Sequence, residues 1–492
     1  MSKVSERHPP SPTSFPIVGS LFSIPPGMAH IAYMKLGKQL KSDIISLKLF
    51  GYDFVVLNSF RAAADTLDKR SSIYSDRLSM PMVQDPTLFN WGNQSALLGY
   101  GDLWRSHRRM LNNWLNARAV TQFHPIQEQH IQPLLRQLVR LVDDPQPFEK
   151  VKHSIFINAA SSVLKLAYGY TLQEDNDKIF EMIHHTNKHL LMAGTFTNFL
   201  VNVLPPLSYV PHWFPGAGWK RTAYRWRILK EQALSIPYEW TKAQIASGTA
   251  EPSILSTLLQ NLTLTSHMKE DERENLKEVA HVIVAAGTDT TSTALVAFVA
   301  AMVLNPDVQL KAQKELDTVL GPTSLPTMSD RERLPYMRKL IQEVLRWQPV
   351  APTGVQPFIV SKRCKIISHE NGYASQLFLM HAGKMNYEGY DIRKGTVVIG
   401  NVWAITRDEK IYKDPEAFDP DRFQDPTVPY APAFEASIHY DSITACYVYV
   451  LKEERTGWRE IIPDIENISN AIVMELKPFE FELKLRSPPT DN

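Results

Sequence analysis

Between residues 43 and 57 the chain alternates apolar and polar side chains through Ile44-Ile45-Ser46-Leu47-Lys48-Leu49, turns at Gly51, and resumes with Phe54-Val55-Val56-Leu57. Alternation of period two broken by a glycine predicts a β-hairpin. From about residue 120 to 350 the period changes, with apolar residues at three- and four-residue spacing and breaks at Pro205, Pro206 and Pro211, which predicts a run of helices. Residues 279 to 302 are apolar on both sides of one polar patch, Thr288-Asp289-Thr290-Thr291, so this helix is expected to be buried. Strand signals return at Gly395-Thr396-Val397-Val398-Ile399-Gly400 and at Phe479-Glu480-Phe481-Glu482-Leu483-Lys484-Leu485. The expected fold class is mainly α with a small β part.

Composition narrows the function more than the fold. A length of 492 residues exceeds the usual single-domain range, although large single-core enzymes reach it. A net charge of +1 and no basic run longer than Ser361-Lys362-Arg363-Cys364-Lys365 leave no footprint for nucleic acid. Two cysteines, Cys364 and Cys446, make no disulfide framework and no zinc-type cluster, which fits a reducing compartment. No run of about 18 consecutive apolar residues occurs, so no membrane-spanning segment is expected and the chain as written is expected to be cytoplasmic.

Four local patterns bear on chemistry. Four consecutive polar residues in a buried helix cost several kcal/mol unless paired, so Asp289 and Thr290 are either functional or, for the threonines, bonded back to their own helix. Glu343 and Arg346 are three apart and share one helical face, where an acid and a base can pair. Such a pair alone is usually a surface contact worth less than about 1 kcal/mol. Trp104 and Arg108 lie one helical turn apart; in isolation they form a half-buried anchor beside a solvated charge. The fourth is Phe418-Asp419-Pro420-Asp421-Arg422-Phe423.

In order and separation, Ala286-Gly287-Thr288-Asp289-Thr290-Thr291, then Glu343-Val344-Leu345-Arg346 fifty-four residues after Asp289, then the segment ending at Arg422-Phe423 resemble the oxygen-activating helix, ExxR motif and PxRF element of the cytochrome P450 family. Asn401-Val402-Trp403-Ala404 and Asp414-Pro415-Glu416-Ala417-Phe418 extend the likeness to its fungal branch. The resemblance covers roughly residues 9 to 358, 385 to 434 and the tail from about 436. It implies a P450-like fold, with a proline-rich, hinge-like stretch at 1–20 and a single domain from 21 to 492. It further implies haem as cofactor, an apolar small-molecule substrate oxidised with dioxygen, and NADPH-cytochrome P450 reductase as electron donor. Secondary metabolism is the implied setting, and intact members sit at the endoplasmic reticulum membrane behind an N-terminal anchor. By the same resemblance Asp289 and Thr290 are the catalytic acid–alcohol pair, Trp104 and Arg108 hold a haem propionate, and Glu343, Arg346 and Arg422 form a buried charge cluster.

Two departures interrupt the pattern. Between Phe358 and Met385 the chain is longer than the family needs, so about 359–384 is expected to be an exposed insert, as an unremoved intron would produce; Phe358 also stands where a histidine is usual. After Pro432-Ala433-Phe434 the family pattern FxxGxRxCxG, whose cysteine gives iron its anionic sulfur, is missing, and Glu435-Ala436-Ser437-Ile438-His439 follows directly. No metal ligand is therefore assigned. Cys446 has the neighbours of a packed core cysteine, Cys364 lies before the PxRF element, and His439 would bring a different iron chemistry. The expected function is a haem-dependent monooxygenase; the alternative is a catalytically inactive P450-like protein, or a splice or gene-model variant without a haem-thiolate.

Overall fold

The structure is a computed structural model and describes residues 7–70, 77–116, 118–173, 177–263, 269–321, 324–353, 379–380, 385–430 and 473–484. After α1 (Ala29–Leu40) the predicted hairpin forms as β1 (Ile44–Leu49) and β2 (Tyr52–Leu57), paired antiparallel from Ile44 with Leu57 to Leu49 with Tyr52. Its turn holds Phe50 at φ 50° and Gly51 at φ 88°, the left-handed pair a two-residue hairpin requires and glycine supplies without steric cost. Ile45, Leu47, Phe54 and Val56 pack on Tyr33 and Leu36 of α1. Residues 9 to 20, expected to be hinge-like, run beside β1: Ser46 Oγ donates to the Pro9 carbonyl at 2.8 Å and Ser20 N to the Lys48 carbonyl at 2.6 Å.

The helical region comprises α2 (Asp102–Leu115), α3 (His124–Arg140), α4 (Phe148–Tyr168), α5 (Lys178–Gly194), α6 (Gly218–Ala246), α7 (Ile254–Thr263), α8 (Glu270–Leu304), α9 (Pro306–Leu320) and α10 (Pro335–Trp347). The 35-residue α8 is the central element. Of the described helices it alone is long and apolar enough to cross a membrane by length and composition. Its apolar surface serves the core: Ala294 to Met302 are buried against Leu134, Phe148, Leu340 and Val344, and its middle lies on α4. There the two helices touch so closely that a Cβ on Gly287 would sit 2.6 Å from Val163 Cγ1.

The second β region adds β3 (Leu379–Met380), β4 (Met385–Tyr387), β5 (Tyr390–Ile392) and β6 (Val397–Gly400). One sheet has the order β1-β2-β6-β3, with β6 parallel to β2 and antiparallel to β3, and β4 pairs with β5 in a second. This corrects the expected extent of the insert. Leu379 and Met380 lie inside 359–384 yet pair with Val398 and Val397, because the outer edge of β6 presents backbone groups that an apolar extended dipeptide can satisfy. The remainder of that stretch lies outside the described residues, as do the junction at 434–435, Cys364, His439 and Cys446.

The strand expected at 479–485 is not one over its described part, 479–484. Phe479 and Leu483 are buried in the main core, Phe479 against Phe148 at 4.8 Å between ring centroids. The alternation is real, and side-chain burial accounts for it without a ladder.

Candidate active site

The charge cluster is fully hydrogen-bonded. Glu343 and Arg346, on the last turns of α10, are both 0% exposed. Arg346 Nε donates to Glu343 Oε2 at 2.7 Å and its Nη2 to Oε1 at 2.8 Å. Arg422, from the 3-10 turn Pro420–Gln424, donates through Nε to both oxygens of Glu343 at 3.0 and 3.1 Å. The spare protons are placed as well. Arg346 reaches the carbonyls of Thr406, Pro415 and Ala417, while Arg422 reaches those of Lys413, Asp414 and Ala417. The Asp419 N–H completes Glu343 at 2.8 Å. Two cations on one buried anion are tolerable because this collar of carbonyl dipoles disperses the excess positive charge. The expected triad is thus assembled; the carbonyl collar was not legible beforehand, since backbone partners leave no residue-type signature.

Asp289 and Thr290 lie midway along α8, as expected. Beyond its exposed first turns the helix is largely buried, yet Ala286 is exposed and Val282, Ala285, Gly287, Asp289 and Thr290 are half-buried, so α8 has an open window within 282–290. Burial lifts the Asp289 carboxyl to about 6, opposed by the positive charge of Lys188 on α5. Thr290 Oγ1 donates to the Ala286 carbonyl at 2.6 Å and Thr288 Oγ1 to Val284 at 2.9 Å. Back-bonding is therefore how these hydroxyl protons are satisfied, and α8 continues through the patch without a break.

Trp104 and Arg108 sit on α2, which packs against α8. The Arg108 guanidinium lies 5.2 Å from the Trp104 ring centroid, and burial lowers its pKa. Trp104 Nε1 is buried with no hydrogen-bond partner among the described residues. A buried indole N–H normally finds an acceptor. A haem propionate is such an acceptor, and Arg108 beside it has the planar fork that suits a carboxylate. These residues and the window on α8 fit the edge and one face of a haem. No cysteine is among the described residues, and FxxGxRxCxG does not occur anywhere in the sequence.

One polar group that composition alone did not single out is also buried here. Lys230 of α6 and Glu278 of α8 form an ion pair at 3.0 Å, with His281 and Trp91 beside it. Its sequence signal was an acid and a histidine three residues apart at the edge of an apolar run.

The chain matches the cytochrome P450 family model over residues 9–366 and 379–441, and resumption at 379 agrees with β3 belonging to the sheet. A cytochrome P450 monooxygenase of Armillaria gallica is 36% identical over 425 residues, covering 85% of this chain and 77% of that protein. Cytochrome P450 monooxygenase COX2 of Coprinopsis cinerea is 34% identical over 419 residues, 85% and 74% of the two chains. Cytochrome P450 monooxygenase 208 of Postia placenta is 32% identical over 500 residues, 97% and 90% of the two. With the Glu343–Arg346–Arg422 cluster assembled and the match running nearly end to end, the chain belongs to the cytochrome P450 family of haem-dependent monooxygenases.

Proposed function

We propose that this monooxygenase oxidises an apolar small molecule with electrons from NADPH-cytochrome P450 reductase, in fungal secondary metabolism. The observation that carries the reading is the open window on an otherwise buried α8, flanked by Asp289, with the partnerless Trp104 N–H on the adjoining α2. When bound, haem supplies the iron at which dioxygen is activated. The chain's own residues do the rest. Trp104 Nε1 and Arg108 would hold propionate oxygens. Asp289, with a pKa of about 6, exchanges a proton readily near neutral pH, where a carboxyl at its ordinary value would stay ionised. Thr290 spends its own proton on Ala286, which leaves its oxygen lone pairs to accept from a proton-bearing group.

A surface cleft of about 1040 Å³ at the start of α6 has a mixed lining, with Leu88, Val210 and Pro211 beside Lys220, Arg221 and Arg225. Asp289 does not line it, so it is not the reaction site. The test is turnover of a panel of apolar hydrocarbons under oxygen-18 gas, using the haem-loaded full chain with reductase and NADPH. A parallel chain carries an FxxGxRxCxG segment between Phe434 and Glu435. Product one labelled oxygen heavier, lost in Asp289→Asn, supports the reading. A haem-retaining chain with the segment that consumes NADPH and never oxygenates any hydrocarbon would overturn it.

A further inference from the structure

Among the described residues, the deepest concentration of unsatisfied polar atoms lies between α6, α8 and the turn at Asn90-Trp91. Glu278, His281 and Trp91 are 3%, 0% and 0% exposed. Lys230 Nζ pairs with Glu278 Oε1 at 3.0 Å, donates to the Asn90 carbonyl at 2.9 Å and lies 5.1 Å from the Trp91 ring centroid. The Trp91 and His281 rings are 5.0 Å apart. The cation is fully engaged. Glu278 Oε2, both ring nitrogens of His281 and Trp91 Nε1, by contrast, have no hydrogen-bond partner among the described residues. Burial without partners costs about 1–3 kcal/mol for each neutral group and more for a charged oxygen. Four such atoms in one place therefore point to a ligand.

The place is connected to the reaction site. Glu278, Val282, Ala285 and Asp289 recur at spacings of four, three and four, one stripe along α8. Glu278 and Asp289 are eleven residues apart, about 16 Å along the axis, the length of a medium-sized terpenoid or alkyl chain. Val282, Ala285 and Asp289 on that stripe are half-buried rather than sealed. Resting on the monooxygenase reading above, we propose that Glu278, with His281 and Trp91, forms a specificity-determining subsite for a neutral hydroxyl group on an otherwise apolar substrate. The hydroxyl donates to Glu278 Oε2 and accepts from the indole or imidazole N–H. Burial drives the His281 pKa down to about 3, so its ring is neutral and offers one donor and one acceptor. A carboxylate would find no free cation, since Lys230 is already engaged by Glu278 and the Asn90 carbonyl, and burial that raises the Glu278 pKa disfavours a second anion as well. The preferred substrate is then an alcohol, and the reaction class that supplies it is an earlier hydroxylation or a hydrolysis that frees a hydroxyl.

The test is binding without turnover, by calorimetry on the full chain. The probes are 1-octanol and its isomer heptyl methyl ether, which has the same heavy atoms but no O–H. A buried hydrogen bond that the ether cannot make predicts roughly tenfold tighter binding of the alcohol, and Glu278→Gln reduces that preference at least threefold. If Glu278→Gln does not fold, His281→Leu serves, with the same expected loss. Equal affinities for the isomers in the parent chain, or a preference unchanged in the folded variant, would sink the subsite. Neither result bears on oxygen insertion, which is read separately from labelled product.

Discussion

Glu343 and Arg422 are 79 residues apart in the chain, yet the Arg422 Nε contacts both carboxylate oxygens of Glu343 at 3.0 and 3.1 Å. The contact ties the end of α10 to the turn after Phe418, and Arg346 grips the same carboxylate from within α10. One buried anion thus fixes the relative position of two segments that share no sheet or helix.

Glu343→Gln should destabilise the chain by about 3–5 kcal/mol, because it leaves two buried arginines facing each other without their anion. Urea denaturation followed by circular dichroism measures this. A loss below about 1 kcal/mol would mean the carbonyls of Thr406, Pro415 and Ala417 suffice by themselves.

The Asp289 carboxyl titrates near 6 in the folded chain because burial raises it. Between the ordinary carboxyl range and about 6 the folded state keeps a proton that the unfolded chain has released, so this group's contribution to stability is full at low pH and is lost as pH rises through 6. Asp289→Asn should therefore stabilise the protein at about pH 7, by on the order of 2 kcal/mol, and gain nothing at about pH 4. Denaturation midpoints at the two pH values check the sign; a variant less stable at neutral pH contradicts it.

Trp104→Phe separates packing from cofactor holding. The indole N–H has no partner among the described residues, so without haem the variant loses packing alone, about 1–2 kcal/mol. With haem it loses a hydrogen bond to a charged propionate, a cost of about 1.5–3 kcal/mol. Haem titration followed in the Soret region should show correspondingly weaker binding. Unchanged haem affinity would remove Trp104 from the propionate site.

Gly287→Ala places a methyl 2.6 Å from Val163 Cγ1, and overpacking of this kind costs about 1–3 kcal/mol. Val163→Ala in the same chain should recover most of the loss. Additive rather than compensating effects in a double-mutant cycle would show that the two helices do not meet at this pair.

The reduced, carbon-monoxide-bound spectrum tests the ligand to iron. The parent sequence has no cysteine between Arg422 and Cys446 and should not give the band typical of a haem-thiolate, whereas insertion of FxxGxRxCxG after Phe434 should restore it. A thiolate spectrum from the parent, abolished by Cys446→Ser or Cys364→Ser, would identify which sulfur reaches iron.

The parts of the site legible in the sequence are those whose residue types carry their own reason. An acid and an arginine three apart before prolines, and a polar patch in an apolar helix, both announce a paired or functional group. The α8 helix and the β1–β2 hairpin follow directly from period. What escaped is what backbone supplies. The collar around Arg346 and Arg422 is built of carbonyls from ordinary residues, and Leu379–Met380 is a strand only because β6 leaves an edge to pair with. Phe479 to Lys484 shows the converse: an alternating pattern records which side chains are buried and does not guarantee a neighbouring strand.

The parallel pairing of β2 with β6 has a consequence for biosynthesis. Phe54 lies beside Val397, so a hairpin complete within the first sixty residues must wait for some ~340 more before its second neighbour is translated. At about 5–20 residues per second, that delay is roughly 20–70 s, during which Val55 and Val56 present an unpaired apolar edge to solvent. Newly made chains should therefore associate with strand-binding chaperones until residue 400 clears the ribosome, and the aggregation-prone interval is set by ribosome speed rather than by the stability of the finished protein.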